Sequence, residues 1–434
     1  MRAPARTVGA LLLLQAALPA NLLFTAAALL RGLVVTATPE HPAEPKTVLI
    51  SGGKMTKALQ LARSFHRAGH RVILVESHKY RWTGHRFSRA VDRFYTVPEP
   101  RDAGYVAALT DVVLREGVDV YVPVCSPVAS QYDAQAKEAL SQHCEVLHVD
   151  PATLDLLDDK YAFAVSATAA GLAVPETHRI TKGQQVQDLD HDGTVGRYIL
   201  KSIGYDPVWR LDLTRFPRES PHETVDAIGD RPISVDNPWI LQEFVAGQEY
   251  CTHSTVRDGR VQVYCCCISS AFQVNYEMVD KPEIETWVRE FVRARNITGQ
   301  VSFDFIEATD GRTLAIECNP RTHSAITMFY NHPDLARAYL DGAAETITPL
   351  PSSRPTYWLY HELWRILSHP ASAGQRLRVI ARGKEAIFDW SDPLPFLLAH
   401  HLQIPWLLVQ NLRRHRGWIR IDFNIGKLVE PAGD

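Results

Sequence analysis

The chain carries no excess of charge of either sign. Its 46 lysines and arginines nearly offset 49 aspartates and glutamates, for a formal net charge of −3 over 434 residues. That balance indicates neither a nucleic-acid surface nor an acidic tail. There is no CxxC pair, and the seven cysteines are an odd number. Three of them, Cys265-Cys266-Cys267, are consecutive and alternate faces on a strand. A disulfide framework and a structural zinc site are both disfavoured, and a reducing compartment is expected. No internal repeat appears, nor any low-complexity tract beyond the N-terminal segment. There is no GxGxxG, and GGKMTK at 52–57 lacks the spacing of a Walker loop. The helix that should follow Gly53 could hold an anion at its N-terminus, aided by Lys54; equally, the turn is an ordinary strand-to-helix connection.

What is present begins with residues 8–30, VGALLLLQAALPANLLFTAAALL, flanked by Arg2, Arg6 and Arg31. The segment is about long enough to span a bilayer. A cleaved signal peptide or a span with its N-terminus inside would export the rest of the chain. A span with its N-terminus outside runs against Arg2 and Arg6. Pro19-Ala20-Asn21 divides the run into two halves too short to span. The expectation is a monotopic hairpin or interfacial anchor on a membrane surface, with both ends cytoplasmic. PFLLAHHLQIPWLLVQNLRRHRGW at 395–418 fits either that same surface or a buried terminal helix.

After a linker running to about Pro45, TVLIS reads as a buried strand. Ser51-Gly52-Gly53 turns the chain, and Met55, Leu59, Ala62 and Phe65 form a helical stripe. Gly69 stands at a C-cap position, and RVILVES is the next strand. Strand, turn, helix, strand is a parallel βαβ unit. DVYVPV (119–124) and CEVLHV (144–149) add further strands, so a doubly wound domain is expected over 46–150. From 151 the strands read as antiparallel, with a hairpin turn at Arg257-Asp258-Gly259 and helices near 152–170 and 283–295. Pro/Ser-rich 346–356 precedes a tail rich in Trp, Leu, His and Arg.

The chemistry concentrates in VSFDFIEATDGRTLAIECNPR, residues 301–321. Two alternating runs flank Asp310-Gly311, a favoured two-residue turn. Counting back pairs Thr309 with Arg312, Ile306 with Ala315, Phe305 with Ile316, Asp304 with Glu317, and Ser302 with Asn319. Asp304, Glu317 and Asn319 then share one face. Facing carboxylates repel, so the pair needs a counter-charge, and hard oxygen ligands suit magnesium together with substrate phosphates. The alternative is a solvated polar face that tolerates the repulsion.

Lys160 in LDDKYAF and Lys201 at the end of YILK would each, alone, be read as solvated. In QEFVAGQEY (242–250) a backbone segment beside a small apolar slot could read an adenine edge, with Glu249 at ribose hydroxyls. In order, two lysines, an acidic hinge strand and an Asp…Glu-x-Asn-x-Arg hairpin resemble the ATP-grasp superfamily. That resemblance implies an α/β plus α+β chain: a Rossmann-like N-terminal domain, then two antiparallel α+β subdomains clamping ATP. The implied boundaries are 1–45 for the apolar segment and linker, 46–150 for the Rossmann-like domain, and 151–240 for the lid. The metal-binding subdomain would occupy 241–345, and a C-terminal extension 346–434. By the same resemblance Lys160 and Lys201 hold phosphates, and Glu243 and Val245 meet adenine. Glu249 meets ribose, while Asp304, Glu317 and Asn319 bind magnesium, which manganese can replace. Arg321 meets the transferring phosphoryl group.

The blocks SGGKMTKALQLARSFHRAGHRVIL, PVCSPVASQYD, CTHSTVRDG, IECNPRTHSAITMFYNHP and IDFNIGKLVE resemble the mycosporine-forming branch of that superfamily. Ligation of glycine to a cyclohexenone enol is implied. His253, His323, Ser324 and Ser126 stand in polar clusters within these blocks and are candidates for the small substrates. A ligase acting on a true carboxylic acid, and a membrane-bound nucleotide-binding scaffold without turnover, are the alternative expectations.

Overall fold

The structure is a computed structural model that describes residues 2–34, 42–124, 126–188, 195–204, 209, 212–269 and 275–430. Most of the linker expected up to Pro45 lies outside the described residues.

The chain opens with α1 (Arg2–Val34), a continuous helix through Pro19. A break at Pro19-Ala20-Asn21, and with it the hairpin, is therefore not formed. A parallel sheet follows: β1 (Thr47–Ile50), β2 (Arg71–Ser77), β3 (Arg93–Val97), β4 (Val120–Val122) and β5 (Glu145–Val146), ordered β3-β2-β1-β4-β5. β3 was not legible in the sequence, because its run RFYTV is short and half-exposed. Helices α2 (Thr56–Arg67), α3 (Tyr105–Glu116) and α4 (Pro127–Leu140) connect the strands. Gly52 takes φ +69°, and a Cβ there would lie 2.0 Å from the Val124 carbonyl oxygen. Only glycine permits that close turn at the sheet's carboxyl edge.

Helices α5 (Pro151–Asp158) and α6 (Lys160–Ala169) lead into two antiparallel sheets. The first has β6 (Thr177–Ile180), β7 (Tyr198–Ser202), β8 (Arg215–Phe216) and β9 (Trp239–Glu243), in the order β6-β9-β7-β8. The second contains β10 (Gly247–Arg257) and β11 (Arg260–Ile268), joined by the expected tight turn, with Asp258 and Gly259 at φ 47° and 69°. After the short β12 (Asn275–Tyr276), β13 (Gly299–Ala308) and β14 (Thr313–Asn319) complete that sheet in the order β11-β10-β13-β14.

The C-terminal region folds back over the first domain. The predicted apolar stripe of α2 is buried on the sheet, but so are its polar residues Thr56, Gln60, Arg63 and Ser64. Trp358 donates from its indole to Thr56 Oγ1 at 3.0 Å. Arg63 reaches Asp392 at 2.9 Å and the Ile387 and Asp392 carbonyls at 2.8 Å each, and Ser88 Oγ donates to the same carboxylate at 2.6 Å. The tail at 395–418 forms helical segments that bury Phe396, Ile404, Leu407 and Leu408, and its helix Ile404–Arg413 packs under α1. It is therefore interior to α1 rather than part of the outer surface.

Because the Arg63–Asp392 pair is buried, removing one partner strands a charge. Asp392→Ala should lower unfolding free energy by about 3–5 kcal/mol, read from denaturant midpoints. A loss below about 1 kcal/mol, the median of an exposed pair, would show that the C-terminal region is not anchored there.

Candidate active site

The β13–β14 hairpin differs from its counted register at two places that cancel. The loop has three residues, Thr309 to Gly311, with Gly311 at φ +88° and Ala308 N donating to the Arg312 carbonyl at 2.8 Å. Near the turn Ile306 faces Leu314 and Phe305 faces Ala315, one residue off the count. A bulge beside Asp304 then absorbs Ile316. Beyond it Asp304 faces Glu317 and Ser302 faces Asn319, as counted.

The two carboxylates therefore lie cross-strand, with Asn319 Nδ2 3.4 Å from each. Lys160, the first residue of α6, brings Nζ to 3.9 Å from Glu317 Oε2. Lys201 on β7 donates to Gln242 Oε1 at 3.0 Å and shares the electrostatic field of Glu317, Lys160, Glu249 and Asp304. The Arg321 guanidinium bonds Asn319 Oδ1 and lies 3.8 Å from Asp158. Lys160, Lys201, Glu249, Asp304, Glu317, Asn319 and Arg321 thus converge from α6, β7, β10 and the carboxylate-bearing hairpin.

Burial, and then the neighbouring Glu317 charge, hold the Asp304 carboxyl well above its ordinary range. Burial also opposes ionisation of Glu317, but Lys160 and Lys201 outweigh it and hold that carboxyl low. Without a cation, Asp304 is the weaker acid of the pair. Burial lowers the pKa of Lys201, against the pull of Glu317. Among the described residues no group of three or more His, Cys, Asp and Glu side chains could hold a metal ion. A cation here would rest on two carboxylates, an amide and the ligand's own oxygens, which is the donor set magnesium uses at nucleotide sites.

The other candidates are placed differently. Glu243 is committed to Arg312 at 2.8 Å, so its side chain does not face an open slot. Val245 is buried in a small cluster with Ala308 and Leu314. His253 is fully buried; its ring meets Tyr339 Oη at 3.3 Å and accepts from His323 N at 3.3 Å. It holds the loop after β14 and is not accessible to a substrate. His323 caps the short helix Ser324–Phe329 and packs edge-on against Tyr276. Ser324 accepts from Asn424 Nδ2 at 2.8 Å.

Ser126 caps α4 and lines a polar cavity of about 250 Å³ at the carboxyl end of the parallel sheet. Lys54, Glu76, Arg101, Asp133 and Arg414 share that cavity. The anion expected at the start of α2 is internal: Glu76 accepts from Lys54 N at 2.9 Å and Lys54 Nζ at 3.2 Å. Ser130 on α4 donates to the Pro320 carbonyl at 3.1 Å, which joins the cavity to the carboxylate hairpin. Sequence reasoning missed Asp158, Gln242 and Glu76. LDDK and the Gln beside the hinge glutamate carried signal for the first two; nothing near Glu76 did.

No protein-family model matches the sequence, and no curated protein matches it. Solved structures do. The biotin carboxylase of Campylobacter jejuni in complex with an ATP analogue aligns over 70% of this chain and 72% of its own, with TM-score 0.56 and 14% identity. The biotin carboxylase domain of the Hydrogenobacter thermophilus 2-oxoglutarate carboxylase, with MgADP, ADP and bicarbonate, covers 70% and 71% at TM-score 0.53 and 13% identity. An L-amino acid ligase from Bacillus licheniformis covers 72% and 79% at TM-score 0.51 and 16% identity. These likenesses show the fold, a Rossmann-like domain followed by an ATP-grasp fold.

Asp304→Asn should weaken manganese binding by at least about tenfold, the scale of losing a ligand-shell group. The same change relieves cross-strand repulsion and should stabilise the cation-free protein by about 0.5 kcal/mol. Calorimetry and urea midpoints read the two effects. Unchanged manganese affinity would remove the carboxylate pair as a cation site.

Proposed function

We propose that this chain is an ATP- and magnesium-dependent ligase that forms a carbon–nitrogen bond and releases ADP and phosphate. The observation that carries this reading is the convergence of Lys160, Lys201, Asp304, Glu317, Asn319 and Arg321 on one hairpin face. Three cations opposite two carboxylates suit a polyphosphate of about −4 charge that arrives with a divalent cation. Magnesium, when bound, neutralises charge across phosphate oxygens. Lys160 and Lys201 hold the phosphates, and Arg321, steadied by Asn319, faces the group in transfer. The end of β9 and Val245 meet the adenine, with Glu249 at the ribose. The similar solved structures, bound to an ATP analogue and to MgADP with bicarbonate, support the nucleotide reading.

The reaction is read as ligation of glycine to 4-deoxygadusol, a vinylogous acid. Its enol oxygen attacks the γ-phosphorus of ATP, the bond to the bridging oxygen breaks, and ADP leaves. Glycine's amine then adds to the phosphorylated carbon, phosphate departs with the former enol oxygen, and nitrogen loses a proton. Positioning and charge neutralisation supply most of the acceleration. The resemblance of five long sequence blocks supports this pair of substrates. The polar cavity at Ser126, whose wall helix α4 is tied to the hairpin's exit through Ser130 and the Pro320 carbonyl, offers hydroxyl and charged partners to them.

The second reading, an amine ligase acting on a carboxylic acid through an acyl phosphate, is favoured by the likeness to an L-amino acid ligase. Incubation with ATP, magnesium, glycine and 4-deoxygadusol should yield ADP, phosphate and a new adduct lacking the elements of water. Glu317→Gln should abolish it, a fall of at least about 100-fold for a residue binding charge in the transition state. ADP formation with a carboxylic acid but not with the enol would select the second reading. No hydrolysis with either would leave a nucleotide-binding scaffold.

The catalytic body stays on the cytoplasmic side, where ATP is. It attaches to a bilayer surface through α1, which is long and apolar enough to cross a membrane yet lies docked along the protein.

A further inference from the structure

α1 wears its polarity inside out. The side toward the protein carries Thr7, Leu14, Asn21, Thr25 and Ala28, at near seven-residue spacing and all buried. The opposite side carries Leu12, Leu22, Leu23, Leu30 and Leu33, with Leu23 73% and Leu33 80% exposed. In water the arrangement would be reversed. Trp418 Nε1 donates to Thr7 Oγ1 at 2.9 Å, and Asn21 Nδ2 reaches Tyr360 Oη and His401 Nε2 at 2.6 Å each. Arg6 lies 4.1 Å over the Trp418 ring and Arg31 5.7 Å over the Trp390 ring. From Arg6 to Arg31 the docked helix runs about 38 Å at 1.5 Å per residue. On the proposed bilayer surface, a helix docked over that length would lie in the membrane plane, with Arg and Trp at both ends where interfacial anchors belong.

Beneath its N-terminal half is a second cavity, of about 630 Å³, apart from the nucleotide site. Leu13, Leu14, Tyr360 and Trp364 give it apolar walls, and Arg6, Arg365 and Arg420 line it together with one carboxylate, Asp422, which lies 3.7 Å from Arg420. Apolar walls beside guanidinium groups, with one carboxylate able to accept from a hydroxyl, describe an amphiphile with an anionic, hydroxylated head.

We propose that this cavity holds one anionic phospholipid, admitted from the bilayer in whose surface α1 lies, with its acyl carbons against the aromatic wall and its phosphate toward Arg6 and Arg420. This rests on the membrane attachment proposed above. Phosphatidylglycerol has the required chemistry: one phosphate charge and free hydroxyls.

The test uses the full chain on vesicles of phosphatidylcholine with phosphatidylglycerol, flotation for attachment, and native mass spectrometry for retained lipid. Wild type should float and retain one phosphatidylglycerol, in at least tenfold preference to phosphatidylcholine. Gly9 lines the cavity, and a Cβ there meets nothing within 4 Å, so Gly9→Phe fills the space without a clash at the backbone. That variant should float as wild type does and lose the retained lipid at least tenfold. Leu23→Glu with Leu30→Glu should abolish flotation. Flotation without retained lipid overturns the inference and leaves membrane attachment standing. Absence of flotation in wild type overturns both. Retention by Gly9→Phe at the wild-type level overturns the cavity as the site, and equal retention of phosphatidylcholine overturns the headgroup assignment.

Discussion

The structure depends on holding two carboxylates, Asp304 and Glu317, across one strand pair. That placement is unfavourable by itself, and what offsets it lies on the other face of the same strand. Phe303 and Phe305 alternate with Asp304 and are fully buried. They join Phe163, Trp287 and Phe291 in an aromatic cluster, with Trp287 5.3 Å from Phe305 and Phe291 5.5 Å from Phe303. Burying each phenylalanine is worth about 1.5–3 kcal/mol, against at most about 1 kcal/mol for a cross-strand repulsion. The core therefore fixes the strand, and strand alternation projects the carboxylates whether or not a cation is present. The cations come from elsewhere in the chain. Lys160 starts α6 directly after Asp159, which caps that helix by accepting from Tyr161 N and Ala162 N at 2.8 and 2.9 Å. Lys201 rides on β7 and Arg321 on the exit from β14. Each is positioned by local backbone structure, and their meeting is set by how the sheets stack.

How much of this could be read beforehand follows the range of the interactions. The βαβ start, the tight turn at Asp258-Gly259 and the carboxylate face were legible because periodicity and turn chemistry are local. The register at Asp304 and Glu317 was right for a compound reason. A three-residue loop moved the pairing by one, and the bulge at Ile316 moved it back. Bulges leave no periodic trace when they preserve the buried residues on either side. The role of the C-terminal region was not legible. Burial of Arg63 requires Asp392, more than 300 positions away, and no window of sequence connects them. The same holds for Glu76, whose place at the start of α2 comes from sheet topology. The polar residue His253 lies where its strand is buried on both faces, from Tyr250 to Val256, so alternation marks no exposed side there.

The C-terminal region packs on two sides. On one side it seals α2 through Trp358–Thr56 and Arg63–Asp392; on the other it receives α1 through Tyr360, His401 and Trp418. Its aromatic and basic composition is explained by this double duty. Aromatic residues with a polar tip can pack against an apolar helix and still satisfy Thr7 and Asn21.

That arrangement also argues against α1 as a spanning helix despite its length. A span would carry Asn21 into hydrocarbon, where an unpaired amide costs several kcal/mol, whereas docking satisfies it at two partners. Pro19 lies on the exposed side and leaves the helix intact. The helix and the C-terminal region thus need one another: α1 covers an aromatic surface that water would otherwise meet, and that surface supplies polar contacts to Thr7 and Asn21 on the seam of α1. The apolar outer face is what remains, and the proposed bilayer surface is a solvent in which such a residue pattern is stable.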